Sequence, residues 1–189
     1  MLLATTAVNA AKKAIYKPWD NGKLKVSANQ RYLVHENGKA FFWLGNTAWL
    51  LPERLNRDEA EYFLAKEREL GYNVEQIQVL NAIPTFNVYG QQANNKDFDF
   101  SKVSKPGVYG YWEHMDYIVD CAAANGIYIA MDCIWGSMIG QMDIKKAEAY
   151  GKFLGERYKN KPNIIWMIGG DILGDKSPEV WDALARAIK

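Results

Sequence analysis

Cysteine is scarce in this 189-residue sequence, with Cys121 and Cys133 the two examples. Two cysteines allow at most one disulfide and provide no metal-ligand spacing, so neither a disulfide framework nor a zinc-type site organises the chain. Free thiols are expected, Cys121 on a helical pattern and Cys133 on a strand pattern. Charge of one sign is lacking as well. The 23 Lys and Arg against 22 Asp and Glu leave a net charge of +1, and no basic run occurs, so nothing in the bulk charge attracts nucleic acid or an anionic membrane. Long apolar runs are missing too, and no stretch approaches the roughly 20 residues that span a bilayer. Around Gly169-Gly170 and Gly174 there is neither a Gly-x-Gly-x-x-Gly spacing nor a Gly-Lys-Ser/Thr ending, and the neighbouring acid would repel phosphate, which argues against a nucleotide site. The sequence calls for no cofactor or metal.

What is present is an ordinary globular mixture, 49% hydrophobic and 24% charged, sufficient for one domain with a sizeable core. Aromatics are the exception at 13%, with seven Trp. Such side chains fill a core, and they also suit flat ligands such as sugar rings. The first eleven residues, with Leu2, Leu3, Ala4, Ala7, Val8, Ala10 and Ala11 ahead of Lys12-Lys13, read either as the end of a secretory signal without its basic beginning or as a disordered tail. Residues 12–22 read as a linker and 23–189 as the folded unit.

Residues 23–45 alternate as β-strands do: Leu24 and Val26 against Lys23, Lys25 and Ser27, then Tyr32 and Val34 against Arg31 and Leu33, with Asn37-Gly38 as a hairpin turn signal. The run Ala40–Gly45 is apolar throughout, as a strand covered on both faces would be. Asn56 is a good N-cap for a helix that Gly71 stops. A strand follows over 73–80, in which Glu75, Gln76 and Gln78 either point into a barrel interior or meet a ligand. Residues 81–110 lack periodicity, and a loop of that length inside a compact domain is usually functional or disordered; Phe86, Asn87 and Tyr89 favour a binding loop. Helical spacing returns over 111–125, where His114 beside the apolar stripe reads as a structural hydrogen-bonding residue. A strand over 127–134, a helix over about 143–159, a strand over 163–168 and a helix begun by Ser177-Pro178 complete the chain.

Strands starting near 41, 73, 127 and 163 recur at intervals suited to βα repeats. A closed barrel needs eight such units. The expected fold is therefore α/β of the (β/α)₈ TIM-barrel type, with only the first four βα units present and an N-terminal β-hairpin before them, or a small open α/β domain.

The last of these strands, Asn163 to Ile168, reads as buried on both faces, an apolar run bounded by Pro162 and two glycines, and it runs into Gly169-Gly170-Asp171. In a parallel βα architecture the C-terminal strand ends collect the chemistry, so Asp171 is either a candidate catalytic group or a turn residue of the kind that often follows glycine. Asn46, Gln78 and Asn81, at or near strand ends, either hydrogen-bond sugar hydroxyls or satisfy loop backbone. Trp49 and Trp135 supply apolar walls at two such ends. Asp132, just before the end of its strand, is either a buried polar residue of the barrel interior or a second acid of the site.

Three ordered motifs carry a resemblance: Lys39–Trp49, Ile134-Trp135-Gly136, and Tyr158–Trp166 with Gly169-Gly170-Asp171. Together they resemble the apiosidase-like glycoside hydrolases from about Leu24 to Lys189, the first half of that family's (β/α)₈ barrel. The resemblance implies hydrolysis of glycosidic bonds in plant cell-wall, pectic carbohydrate by a two-carboxylate mechanism, with Asp171 as general acid/base and the nucleophile on a late strand outside this sequence. Their strand-end positions make Asn46, Trp49, Gln78, Asn81, Asp132 and Trp135 the candidate substrate-binding residues of such an enzyme, and the resemblance also implies a secreted, periplasmic or cell-surface bacterial location. Asn46 stands where the family usually has Asp, and Asp132 where it is often apolar, which bears on substrate rather than on fold. A half barrel that binds carbohydrate without turnover is the alternative.

Overall fold

The computed structural model describes residues 15–100, 103 and 106–189. The apolar segment read as a signal remnant, residues 1–11, lies outside the described residues. Three short strands, β1 (Leu24–Val26), β2 (Leu33–His35) and β3 (Ala40–Phe41), form an antiparallel sheet. Gly38, at φ +87°, makes the turn between β2 and β3, which a side chain there would strain. A parallel sheet follows, built from β4 (Gly45–Thr47), β5 (Val74–Gln78), β6 (Tyr128–Asp132) and β7 (Ile164–Met167) in that spatial order. Helices α1 (Leu51–Arg54) and α2 (Arg57–Leu70) join β4 to β5, α3 (Tyr111–Ala124) joins β5 to β6, α4 (Ile144–Tyr158) joins β6 to β7, and α5 (Pro178–Ile188) follows β7. Four strand–helix units in sequential parallel order are a partial (β/α)₈ barrel, as the periodicity indicated.

Local chemistry sets the helix limits. Asn56 accepts from the Glu59 amide while the Glu59 carboxylate accepts from the Asn56 amide, a capping box worth about 1 kcal/mol. Gly71 ends α2 in the left-handed conformation. The Asp143 side chain caps α4 by accepting from Lys146 N at 2.8 Å. Glycines at 151 and 155 let α4 lie close against α5, since a Cβ at Gly155 would stand 2.5 Å from the Ile188 carbonyl oxygen.

The strands alternate between two apolar layers. Ile77, Ile129 and Met131 pack with the helices, beside Leu64, Ile118 and Leu154. Val74, Tyr128 and Ala130 pack on the opposite face with Phe41, Trp19, Leu24 and Trp43. Tyr128 receives Trp19 and Phe41 edge-on, with ring centroids 5.4 and 5.5 Å away. Because Val74 and Tyr128 begin their strands, the small antiparallel sheet closes the N-terminal end of the large one.

Four expectations need correction. Ala40–Gly45 is not one doubly covered strand: β3 belongs to the small sheet and β4 to the large one, and Phe42 between them is 76% exposed. The chain crosses from one sheet to the other there, and Asn73 clamps the crossing by donating to Phe42 O (2.7 Å) and accepting from Leu44 N (2.9 Å). The expected linker is anchored to the fold at Pro18, which is buried, and at Trp19, which joins the apolar layer. Strand β7 is half-buried throughout because it forms an edge of the sheet. Ser177 does precede α5, but at φ +54° its hydroxyl makes no cap, and its carbonyl accepts from Val180 N and Trp181 N instead.

Candidate functional site

The C-terminal end of the parallel sheet is polar where the N-terminal end is apolar. In a parallel ladder, residues in register point to the same face. Gln78 registers with Asp132, and Asp132 with Met167. Two residues earlier on the same face come Gln76 and Ala130, and two earlier again Val74 and Tyr128. Polarity therefore rises along the inner face from the packed hairpin to the strand ends.

Backbone bonds beyond the strands fix the two candidate tryptophans. Gln78 N donates to Trp49 O at 2.9 Å, and Trp135 N donates to Leu80 O at 2.9 Å, so the two residues flank the end of β5. Their rings lie 6.1 Å apart at 55° and are half-buried. Two tyrosine hydroxyls brace this rim from below: Tyr111 donates to Val79 O (2.5 Å) and Tyr150 to Cys133 O (2.6 Å).

The Gly169–Asp171 turn is seated on Trp135 and Asp132. A Cβ at Gly170 would fall 2.7 Å from Asp132 Oδ2 and 2.9 Å from the Trp135 ring, and a Cβ at Gly136 would fall 1.9 Å from the Gly170 carbonyl oxygen. Only glycines permit this approach. Gly169 at φ +94° and Asp171 at φ +43° turn the chain sharply, leaving Asp171 exposed. Asp171 also lines a cavity of about 360 Å³ with Ile168, Ile172 and Trp181.

Beneath the turn, Asp132 is fully buried and neither carboxylate oxygen has a hydrogen-bond partner among the described residues. Burial alone pushes its pKa up to about 7, because an anion there would be desolvated without compensation. Cys133 beside it is buried and free, its thiol pushed up by burial, while the other cysteine, Cys121, is free and half-buried.

The structure thus brings Trp49, Gln78, Asp132, Trp135 and the Asp171 turn to one end of the sheet. Asn81 is nearby at the end of β5, but its amide is engaged: it donates to Glu53 Oε2 (3.0 Å), and its oxygen accepts from the Thr85 hydroxyl (3.1 Å). Asn46 is not brought to this cluster. It registers with Glu75, and its amide donates to Glu67 of α2 at 3.1 Å, so it faces the helices. The alternation that sets Thr47 inward sets Asn46 outward, and that parity depends on where the strand starts. His114 bridges Tyr109 OH (3.0 Å) and Leu55 O (2.9 Å), the structural part expected of it.

Sequence reasoning missed Glu53. Its carboxyl is half-buried on α1, has Oε1 without a partner among the described residues, and is pushed up in pKa chiefly by burial. The available signal was Pro52 in the first turn of a helix directly after a barrel strand. Of residues 81–110, expected as a binding loop, 81–95 form a loop pinned by Thr85, Asn87 and Asn94, all buried.

Comparison with known proteins gives a consistent picture. The sequence model of the family described as "Apiosidase-like, catalytic domain" matches residues 27–189. A crystal structure of a family 5 glycoside hydrolase from Bacteroides vulgatus is similar at 59% identity and a TM-score of 0.90, over 93% of this chain and 39% of that one. A second solved structure, described as a glycoside hydrolase, matches at 58% identity and a TM-score of 0.89, over 92% of this chain and 40% of its own. The chain therefore spans about two fifths of each relative. An endoglucanase catalytic domain from Thermobifida fusca, 14% identical with a TM-score of 0.60 over 92% of this chain and 52% of that one, shares the fold. A search of the curated proteins returns no match.

Proposed function

The chain belongs to the apiosidase-like catalytic-domain family, and on that premise we propose that it forms part of a glycoside hydrolase cleaving side chains of plant cell-wall, pectic polysaccharide, with Asp171 as general acid/base. The observation that supports this reading is the seating of the Gly-Gly-Asp turn at the polar end of the sheet: the backbone of Gly170 rests on Asp132 and Trp135, and Asp171 is the next residue of that turn. Glycoside hydrolysis needs one carboxylic acid to protonate the leaving oxygen and a second carboxylate to attack the sugar carbon or activate water. Asp171 supplies the first. The second comes from a later strand of the barrel than the four described. Trp49 and Trp135 offer ring faces for a sugar, while Gln78 and Asn81 offer amides for its hydroxyls.

The test compares leaving groups in the full-length protein. Asp171→Asn lowers kcat/KM on a natural oligosaccharide by about 10³-fold, and on an activated aryl glycoside, whose leaving group needs no proton, by far less. Equal losses on both substrates, or unchanged turnover, remove Asp171 from the acid role. Binding retained with turnover absent even in the wild type would favour a carbohydrate-binding function.

A further inference from the structure

Asp132 is a carboxylate that the proposed chemistry does not use, and its surroundings are unusual. It is fully buried, neither oxygen has a partner among the described residues, and its Oδ2 lies where a side chain on Gly170 would have to go. Its neighbours give an anion no support. Gln78 stands beside it on β5 and Met167 on β7; no Lys, Arg or His acts on it; and the titratable groups that interact with it are Cys133 and the Tyr150 of α4. Burial holds Cys133 and Tyr150 neutral, and neither donates to the carboxylate.

A buried carboxylate in this position is tolerable as the neutral acid and costly as the anion. The cost can be relieved by admitting water, and the weakest wall is the turn. From Leu173 to Lys176 it is exposed at every residue. Three of its residues, Gly169, Asp171 and Ser177, hold positive φ, and its internal backbone bond, Lys176 N to Leu173 O, is long at 3.4 Å. The strand β6 beneath it is buried at every residue. Segments with few buried contacts and exposed backbone open at low free energy.

We infer that Asp132 is a positioning residue acting as a proton-controlled latch: its neutral carboxyl seats the Gly169–Asp171 turn, and its ionisation lifts that turn away from Trp135. The proton is held below about pH 7 and lost above it, so the seated turn belongs to the acid side and the lifted turn to the alkaline side. The inferred effect on catalysis rests on the reading of Asp171 given above; the movement of the turn does not.

Two measurements on the full-length protein separate these. Hydrogen exchange of the backbone amides over 168–177 is expected to be alike in wild type and Asp132→Asn at pH 6 and about tenfold faster in wild type at pH 8.5, because Asn keeps the shape and never ionises. The alkaline limb of kcat is expected to move up by at least one pH unit in Asp132→Asn. Equal exchange at both pH values overturns the latch. An exchange difference with an unmoved kcat limb leaves the latch standing and contradicts its link to Asp171. Should Asp132→Asn not fold, Asp132→Ser, which also lacks the charge, serves in the same comparison with the same deciding outcomes.

Discussion

Two cavities lined by the described residues differ in chemistry in the opposite sense from their sizes. The larger, about 1150 Å³, runs between the small sheet, the edge strand β7 and the ends of α4 and α5, and is lined by Leu24, Val26, Trp43, Ile165 and the stems of several lysines. The smaller, about 360 Å³, lies at the Asp171 turn. The larger one has packing surfaces and no convergent set of buried polar groups; it is a seam along a sheet edge. The polar register of Gln78 and Asp132, the tryptophan pair and the glycine-seated carboxylate all belong to the other end. In a parallel βα sheet, strand direction locates chemistry better than volume does.

That contrast can be broken by substitutions at either end. The largest effect expected is the roughly 10³-fold loss of kcat/KM in Asp171→Asn, without loss of folding. Phe41→Ala, at the closed end, is expected to cost about 3–4 kcal/mol in denaturant unfolding by removing a buried ring, while leaving kcat per folded molecule unchanged. Next is Gly170→Ala, whose methyl would meet Asp132 and Trp135 at under 3 Å. The displaced turn should lower kcat by about 10²-fold with a small drop in Tm, and an unchanged kcat would mean that the seating of the turn is irrelevant.

A control lies on the helix side of the sheet. Glu75 is fully buried, and burial first and the Glu67 charge second push its pKa up to about 8 from an ordinary 4.5. A carboxyl that holds its proton more tightly when folded contributes stability that is full below the unfolded value and lost as pH rises towards the folded one. Wild type should therefore lose stability between about pH 4.5 and 8. Glu75→Gln should match it near pH 4 and exceed it by on the order of 2 kcal/mol at pH 9 in urea unfolding, with no change in the pH dependence of kcat. The smallest effect is that of Trp49→Ala, about tenfold in KM through lost ring contact; a change confined to kcat would show that Trp49 does not face the sugar.

The strand–helix order and the placement of most candidates at strand ends were legible because hydrophobic period and glycine punctuation are local properties. Asn56 and Gly71 start and stop their helix as the sequence indicated. Side-chain direction was not legible near strand starts: Asn46 and Thr47 are adjacent, and a one-residue uncertainty in where β4 begins exchanges their faces. The crossing at Phe42 was hidden for a related reason, since an apolar run does not reveal which of two sheets each residue joins. Glu53 was missed because its significance comes from Asn81, 28 residues away, and not from its own neighbours. Asp132 was read as either an interior residue or a second acid of the site, and its burial beneath Gly170 places it in the interior.

The most direct measurement is a crystal structure of the full-length protein with a bound oligosaccharide. The account predicts a sugar ring against Trp49 and Trp135 with the glycosidic oxygen within hydrogen-bond reach of Asp171. A sugar seated in the larger cavity, between the small sheet and α4–α5, would contradict it.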